Sequence, residues 1–586
     1  MGTLRKMWVV LIYTGLVVCV AQAAEINLPE DTSALLVAKE LRISGNTLIS
    51  TEHLLEYMPD IYNASDQRLS EAAPEHLYDL RVIRQIIAEP GIPRQVSIRT
   101  IQGLTQYILS MYKEADYSGI YVYVPEGAIR NGITLVNQVL PINIIEAPVS
   151  EVRIKYYDAE RNEIEEGFLK RSALEKWSPV KRDKVAGQRS LDYLVNLLNL
   201  NPDRHVSAIV SRGEEPNSLA IQYDVYETRP WHFFAQVDNS GTNDREWAPK
   251  FGVINTNLTG IDDRFTALYQ VSADSNFDDN YSVFGSYDFP VTGPRLRLNV
   301  FGGYSEFDID PEGGPIDFIG NGSFYGAVLR YNILQRRGWF LDATGSLSHE
   351  ESKITPSLFP QFFASDVKMN LWGIGANAHR RDDTSSTAVT LNYSENFGGS
   401  DQDEFWDSAT LTGARTNAER DFSIITLAGN HSQYLDQDKV QQLRSTAKWI
   451  EPTERLVPAK MTSFGGMYTI RGYDEYEIVA DGGILASIQY EYDLVRHSQA
   501  VESETVAGEE LKKLAPLVFF DYGRTKIESP VPGETDNQKL YSVGVGLAFE
   551  IGDNFSGAVY YGHPLKDTVD TDSGNGRISA SVMLRW

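Results

Sequence analysis

From Trp231 to Trp586 the chain repeats segments of roughly ten residues in which apolar side chains alternate with small or polar ones, and this pattern constrains the fold more than any other feature. A period of two sends alternate side chains to opposite faces of a strand. In one segment Tyr541, Val543, Val545, Leu547, Phe549 and Ile551 share a face, opposed by Ser542, Gly544, Gly546, Ala548 and Glu550. Ile484, Ala486, Ile488, Tyr490 and Tyr492 oppose Ser487, Gln489, Glu491 and Asp493 in the same way. Ile578, Ala580, Val582, Leu584 and Trp586 oppose Ser579, Ser581 and Arg585. A soluble sandwich alternates too. A membrane barrel is favoured because aromatic residues crowd the segment ends, the connections alternate short and long, and the chain stops on an aromatic residue at the end of a strand. Closing such a sheet satisfies every backbone hydrogen bond, which is the condition for strands to survive in hydrocarbon.

Sixteen strands are predicted, starting at Trp231, Trp247, Arg264, Asp279, Arg295, Gly320, Gly338, Asp366, Ser385, Asp421, Val440, Gly483, Leu514, Gln538, Phe555 and Gly576. Short links at 261–263, 290–294, 335–337 and 552–554 alternate with long ones at 398–420, 451–482 and 526–537. The link at 495–513 is long where a short one is due.

Residues 35–228 read differently, as α+β. Val37 to Ile43 has strand character and ends at the turn signal Gly45-Asn46, after which Ser50 or Thr51 is placed to cap a helix carrying Leu54, Leu55 and Met58. Ile101, Leu104, Ile108 and Met111 then mark one face of a second helix, and strand character returns at 120–124 and 142–146. The same order recurs through Val152, Ile154 and Tyr156, then Leu191, Leu194 and Leu198, then 206–210, and finally Leu219, Ile221, Tyr223 and Val225. Two copies of one module are therefore expected, at 35–147 and 148–228, before a barrel at 229–586. The first copy carries extra chain near 60–94, to which the sequence assigns no role.

The first residues read as an address. Arg5 and Lys6 precede an apolar run from Met7 to Val20 and the small-residue site Ala21-Gln22-Ala23, so 1–23 is expected to be a secretory signal peptide, followed by a short segment at 24–34. That run is too short to span a bilayer comfortably, and no run of about 18 apolar residues occurs elsewhere. Cys19 is the single cysteine and leaves with the signal; Val18 before it suits a lipoprotein site poorly. No disulfide and no thiolate metal site is then expected. With 42% apolar and 23% charged residues the chain buries a sizeable core, and its formal charge of -27 disfavours nucleic acid as a partner, since phosphate binding needs a basic face.

Within the long link ahead of Gly483 stand Phe464-Gly465-Gly466 and Thr469-Ile470-Arg471-Gly472-Tyr473. This string, between the eleventh and twelfth predicted strands, resembles the signature loop of barrel transporters that carry POTRA modules, the BamA-type superfamily. The resemblance implies a transmembrane β-barrel preceded by two α+β POTRA modules, with Ile470, Arg471, Gly472 and Tyr473 on a loop folded back into the lumen. It implies also that Arg471 pairs with an aspartate on a nearby strand, for which Phe519-Phe520-Asp521 is the matching motif. Parity agrees independently, because Val518, Phe520 and Tyr522 form the apolar face and so Phe519 and Asp521 point inward. Trp586 is the expected C-terminal strand signal.

Two modules ahead of sixteen strands are similar to the two-partner secretion transporters of the ShlB/FhaC/HecB kind. Ser178-Pro179, the stretch 191–201, Glu227, Pro230, Asp238-Asn239-Ser240-Gly241 and Tyr561-Gly562-His563-Pro564-Leu565 carry that likeness. It implies a cell outer-membrane transporter with its modules in the periplasm. Its partners would be a large secreted exoprotein client and outer-membrane lipid, with barrel-assembly machinery and periplasmic chaperones engaged during biogenesis. Members of the family often carry an N-terminal plug helix; the short segment at 24–34 leaves none expected here. An assembly factor that inserts other barrels, or a passive porin, is the alternative.

The remaining candidates read as bland. The nine His are scattered, so no metal site is expected. Asp308, Asp310 and Glu312 imitate a calcium loop, yet the twelfth position is Ile319 rather than Glu. Lys181, Arg182, Lys184 and Arg189 form a basic island that reads as a solvated helix face. With no phosphate-binding glycine loop and no nucleophile elbow, neither an enzyme nor a cofactor is expected.

Overall fold

The computed structural model describes residues 28–65, 72–130, 134–241, 247–271, 281–309, 318–356, 365–497, 505–506 and 509–586. The expected signal peptide, residues 24–27 of the segment after it, and Asp310 and Glu312 lie outside the described residues. By contacts the chain forms two compact units. One holds residues up to Ile154 with Ser178–Asp192 and Ala208–Tyr223, and the other holds Lys155–Trp177, Tyr193–Ser207 and Asp224–Trp586.

The second unit contains a closed antiparallel barrel of sixteen wall strands. They are β1 (Trp231–Asp238), β2 (Ala248–Asn255), β3 (Arg264–Val271), β4 (Tyr281–Gly293), β5 (Leu296–Ile309), β6 (Phe318–Arg336), β7 (Trp339–Pro356) and β8 (Ser365–Arg381). The circle continues with β9 (Ser385–Gly399), β10 (Ser423–Tyr434), β11 (Gln441–Pro452), β12 (Gly482–Tyr492), β13 (Glu509–Lys526), β14 (Lys539–Ile551), β15 (Phe555–Pro564) and β16 (Arg577–Arg585). Turn chemistry explains the short links. Arg337 and Gly338 both take positive φ (52° and 79°), as a two-residue hairpin turn requires. Asp382 accepts from the backbone N–H groups of Thr384 and Ser385 between β8 and β9.

The largest departure from the predicted starts is at β13, which begins at Glu509 rather than Leu514. Its opening residues are charged and carry no alternation, but Leu511 and Lys513 pair with Ile551 and Glu550 across the ladder. The long link before it contains a helical turn, Leu494–His497, and a two-residue strand, Thr505–Val506, that pairs back on Glu509 and Glu510. The wall shows the two faces that alternation demands: Val518 and Val545 are 53% and 54% exposed, whereas Phe519 and Ser542 face inward and are 5% and 0% exposed. The barrel closes where β1 meets β16, in a register running from Phe234 opposite Arg585 to Asp238 opposite Ser581.

The first α+β module is built around a mixed three-stranded sheet in which Glu40–Ser44 runs parallel to Val139–Glu146, and Ile120–Tyr123 antiparallel to it. The single strand expected over 37–43 is two strands. Leu35–Ala38 pairs instead with Arg94–Ser97, and the chain is redirected at Lys39, whose N–H donates to Gln138 O and whose carbonyl accepts from Gly91 N. The extra chain forms a hairpin, Ile61–Asn63 against Leu77–Asp79, and a helix, Arg81–Ala88. Leu80, Ile83 and Ile86 from it join Leu54, Leu104 and Ile108 in one core, so this stretch is part of the module's interior. Ser97 caps the long helix Ile98–Glu114 by accepting from Thr100 N at 3.0 Å. The second module has the same strand, helix, helix, strand, strand order: Val149–Tyr157, Arg171–Trp177, Gln188–Leu198, Arg204–Arg212 and Leu219–Glu227. Its four-stranded sheet, which the short strand Glu163–Ile164 completes, leaves Arg204–Arg212 at one edge.

Candidate functional site in the barrel lumen

The long link between β11 and β12 folds against the inner wall. Thr462–Phe464 pairs with Ile478–Ala480 as a small antiparallel ribbon, which carries the tip 465–477 as one piece. Phe464, Ile470, Tyr473 and Ala480 from this loop share a fully buried cluster with Leu540 of β14, and Leu485 of β12 packs against it. Loop and wall thus have a common core.

Arg471 stands at the tip. Its Nε donates to Asp521 Oδ2 and its Nη2 to Asp521 Oδ1, both at 2.8 Å, while its backbone N–H donates to Oδ2 at 3.0 Å. The remaining guanidinium donors reach β12: Nη1 meets Gln489 Oε1 at 2.6 Å and Nη2 meets Ser487 Oγ at 3.1 Å. Ser487 Oγ in turn donates to Asp521 Oδ1 at 2.6 Å. The guanidinium carbon lies 3.5 Å from the centre of the Phe519 ring and 5.0 Å from that of Tyr560. A two-toothed carboxylate pair over an aromatic face suits the planar, weakly hydrated guanidinium and would not suit an ammonium. Asp521 is wholly buried, so the arginine is what makes its charge tolerable on the inner wall.

Gly472 permits this seat. It has φ +99°, and a Cβ there would stand 2.7 Å from the carbonyl carbon of Gly562 in β15. Reciprocally, a Cβ on Gly562 would stand 2.5 Å from Gly472 N. Two backbones touch where neither has a side chain. Tyr473, fully buried, donates to the carbonyls of Tyr541 and Lys566.

The tip is also tied to both strands at the barrel closure. Tyr468 OH donates to Asp238 Oδ2 of β1 at 2.8 Å, beside Lys250 Nζ at 2.7 Å. Arg577 of β16 donates to Asp474, and Thr571 in the link before β16 donates to Glu477. Glu475 accepts from Met467 N, and burial pushes its carboxyl up to about 7. The base of the loop is held separately. Arg455 forms a two-toothed pair with Glu534 at 2.7 and 2.6 Å, and Arg415 reaches the buried Asp481 at 2.5 Å. The Arg455 guanidinium holds the Glu534 carboxyl down at about 2. Trp586 pairs its backbone with Phe233 at 2.9 and 3.0 Å and stacks on that ring, which places it at the closure.

Ser487, Gln489, Tyr560 and Tyr468 take part in the seat without having been singled out from the sequence. The first three lie on inward parity positions, which is the signal that offers them, but dozens of inward residues share it. Tyr468 has no such signal, because its partner lies in β1, far away in sequence. Among the described residues no group of three or more His, Cys, Asp or Glu is placed to hold a metal ion.

The family model described as "Haemolysin secretion/activation protein ShlB/FhaC/HecB" matches residues 218–549. The chain is 20% identical over 495 residues to the "Heme/hemopexin transporter protein HuxB" of Haemophilus influenzae (strain 86-028NP), covering 82% of this chain and 80% of that one. Among solved structures it is similar to CdiB from Escherichia coli, with TM-score 0.69, 14% identity, and coverage of 96% of this chain and 93% of that one. CdiB from Acinetobacter baumannii is similar too, with TM-score 0.64, 16% identity, and coverage of 95% and 91%. At these identities the structural likeness concerns the fold.

Proposed function

The chain belongs to the haemolysin secretion/activation protein ShlB/FhaC/HecB family of two-partner secretion transporters, and on that premise we propose that it moves a large unfolded exoprotein, of the hemolysin or adhesin type, from the periplasm to the cell surface. The modules lie in the periplasm in this reading. An edge strand such as Arg204–Arg212 adds an extended client segment by backbone pairing, which asks little of the client's side chains. The client then threads the lumen, while the loop that carries Arg471 holds one of two positions. Folding of the client outside supplies the direction, because no nucleotide is available in the periplasm. Barrel-assembly machinery reads the terminal strand and Trp586 during biogenesis.

The observation that supports this reading best is the seat of Arg471 on Asp521. A loop whose tip is seated on the inner wall through a buried ion pair, and which has its own ribbon at the base, is a part that can change place as a unit. The test is depletion of the protein in its own host, followed by mass spectrometry of the secreted and outer-membrane proteomes. Loss of one or a few large exoproteins with other barrels intact is expected. A broad fall in unrelated barrels would instead identify an assembly factor.

A further inference from the structure

Another buried arginine, Arg204, lies at the end of the barrel unit where the turn between β2 and β3 stands. Arg204 opens the edge strand Arg204–Arg212, and its side chain is 1% exposed. Its Nε donates to Glu227 Oε1 at 2.9 Å, and its Nη1 donates to Asp262 Oδ1 at 2.6 Å. Glu227 ends the neighbouring strand and also accepts from Leu169 N. Asp262 sits in the turn between β2 and β3, and its other oxygen accepts from Arg297 Nη1 of β5 at 2.7 Å. Arg297 Nε continues to Asp288 of β4 at 2.5 Å. A line of alternating charges therefore runs from Glu227 through Arg204, Asp262 and Arg297 to Asp288 on the inner wall. Other hydrogen bonds flank it: Asn201 Nδ2 donates to Thr256 O at 2.8 Å, Thr256 Oγ1 to the Asp203 carboxylate at 2.6 Å, and Lys170 N to Gly260 O at 2.9 Å.

We infer that Arg204 is a positioning residue for export, fixing the start of the edge strand to the β2–β3 turn so that a client segment paired there is delivered to the inner wall of the barrel. The inference rests on the reading under Proposed function. Burial alone does not make this network a stabiliser, since buried ion pairs are often matched in energy by well-packed apolar residues. What they add is direction. Asp262 is held by guanidinium groups from two elements at once, one on each carboxylate oxygen, and rotation of either element breaks one of these bonds. Arg204 also keeps one buried nitrogen, Nη2, without a partner, so the side chain is placed for geometry at the expense of full hydrogen bonding.

The test uses the full chain in its host, with Cys19 replaced by Ser, and follows the exoprotein identified by depletion. Arg204→Ala is compared with Arg204→Ala carrying Asn201→Cys and Thr256→Cys joined by a short bis-maleimide, which adds both thiols across its double bonds. Arg204→Ala is expected to leave barrel abundance unchanged and to lower export at least about ten-fold, as loss of positioning does. The cross-link is expected to restore most of that export. If Arg204→Ala lowers barrel abundance, Arg204→Lys replaces it, because an ammonium keeps the charge but cannot bridge both carboxylates. Unchanged export, or export that the cross-link fails to restore, would overturn the inference. A parent protein that exports nothing would overturn the transport reading instead.

Discussion

Two of the buried arginines of the barrel unit, Arg471 and Arg204, are held in opposite ways. Arg471 meets one carboxylate, two neutral oxygens and an aromatic face, and its partner Asp521 keeps a second donor in Ser487 Oγ. Arg204 meets two carboxylates, and Asp262 among them depends on two guanidinium groups. When Arg471 leaves, one carboxylate is stranded and still has a hydrogen bond. When Arg204 leaves, Glu227 loses its charge partner and Asp262 loses one of its two guanidinium groups, so both neighbouring elements are released from each other. The first arrangement suits a part that moves, and the second suits a joint that stays. A buried ion pair thus reports a role through how its partners are shared, more than through its strength.

The sharpest way to break this contrast is Asp521→Ala. It leaves the Arg471 guanidinium buried without its carboxylate, a cost of about 3–5 kcal/mol for the seated loop, so the loop should leave the wall. Export is expected to be lost with the barrel still in the membrane, and single-channel conductance should become larger and noisier. Arg471→Ala should act in the same direction. Conductance and export both equal to those of the parent would show that the seat does not hold the loop.

A smaller change comes from Gly472→Ala, which keeps every charge but places a methyl against the Gly562 backbone at positive φ. About 1–3 kcal/mol of overpacking is expected, read as faster protease cleavage in 465–477. Gly533→Ala, where a Cβ meets nothing within 4 Å, provides the control with the same φ of +99°. Equal cleavage of the two variants would remove the close approach from the account.

Tyr468→Phe tests the tie to β1. It removes one donor from Asp238, which retains Lys250, Ser240 and Gln236, so about 1 kcal/mol is expected. Cleavage of the loop should rise only slightly, and a loss of export as large as that of Asp521→Ala would shift the anchor from β13 to β1.

A reversible effect is that of pH on Glu475. Its carboxyl is raised from 4.5 to about 7 by burial in the seated loop. The seated loop therefore binds a proton that the released loop gives up, and seating weakens as pH rises through that interval and is level above it. Protease access to the loop should be greater at pH 8 than at pH 5, and Glu475→Gln should flatten the profile. A dependence as steep in the variant as in the parent would contradict the assignment.

Much of this was legible because a barrel wall writes itself in local sequence. Alternation at Val543, Val545 and Leu547 exposes one face whatever lies across the lumen, so strand positions followed from residues near each other in the chain. The Arg471 string and the Asp521 motif were visible as a resemblance. Glu227 was visible in the same way, but without its partner, because Arg204 lies on the adjacent strand and Asp262 in a turn of the barrel. The hairpin and helix of 60–94 escaped for a related reason: Ile83 and Ile86 make too short a face to mark a helix until Leu54 and Leu104 are seen against them.

The sequence by itself determined the class of the molecule, a sixteen-strand barrel behind two modules, since period-two alternation and turn chemistry act over a few residues. Which polar groups share a charge was decided only by the tertiary structure. Asp521 and Arg471 are 50 residues apart, Tyr468 and Asp238 are 230 apart, and Arg204 and Asp262 are 58 apart. Inward faces carry many polar residues of the same kinds, and only closure of the sheet and return of the loop select the few that meet without water between them.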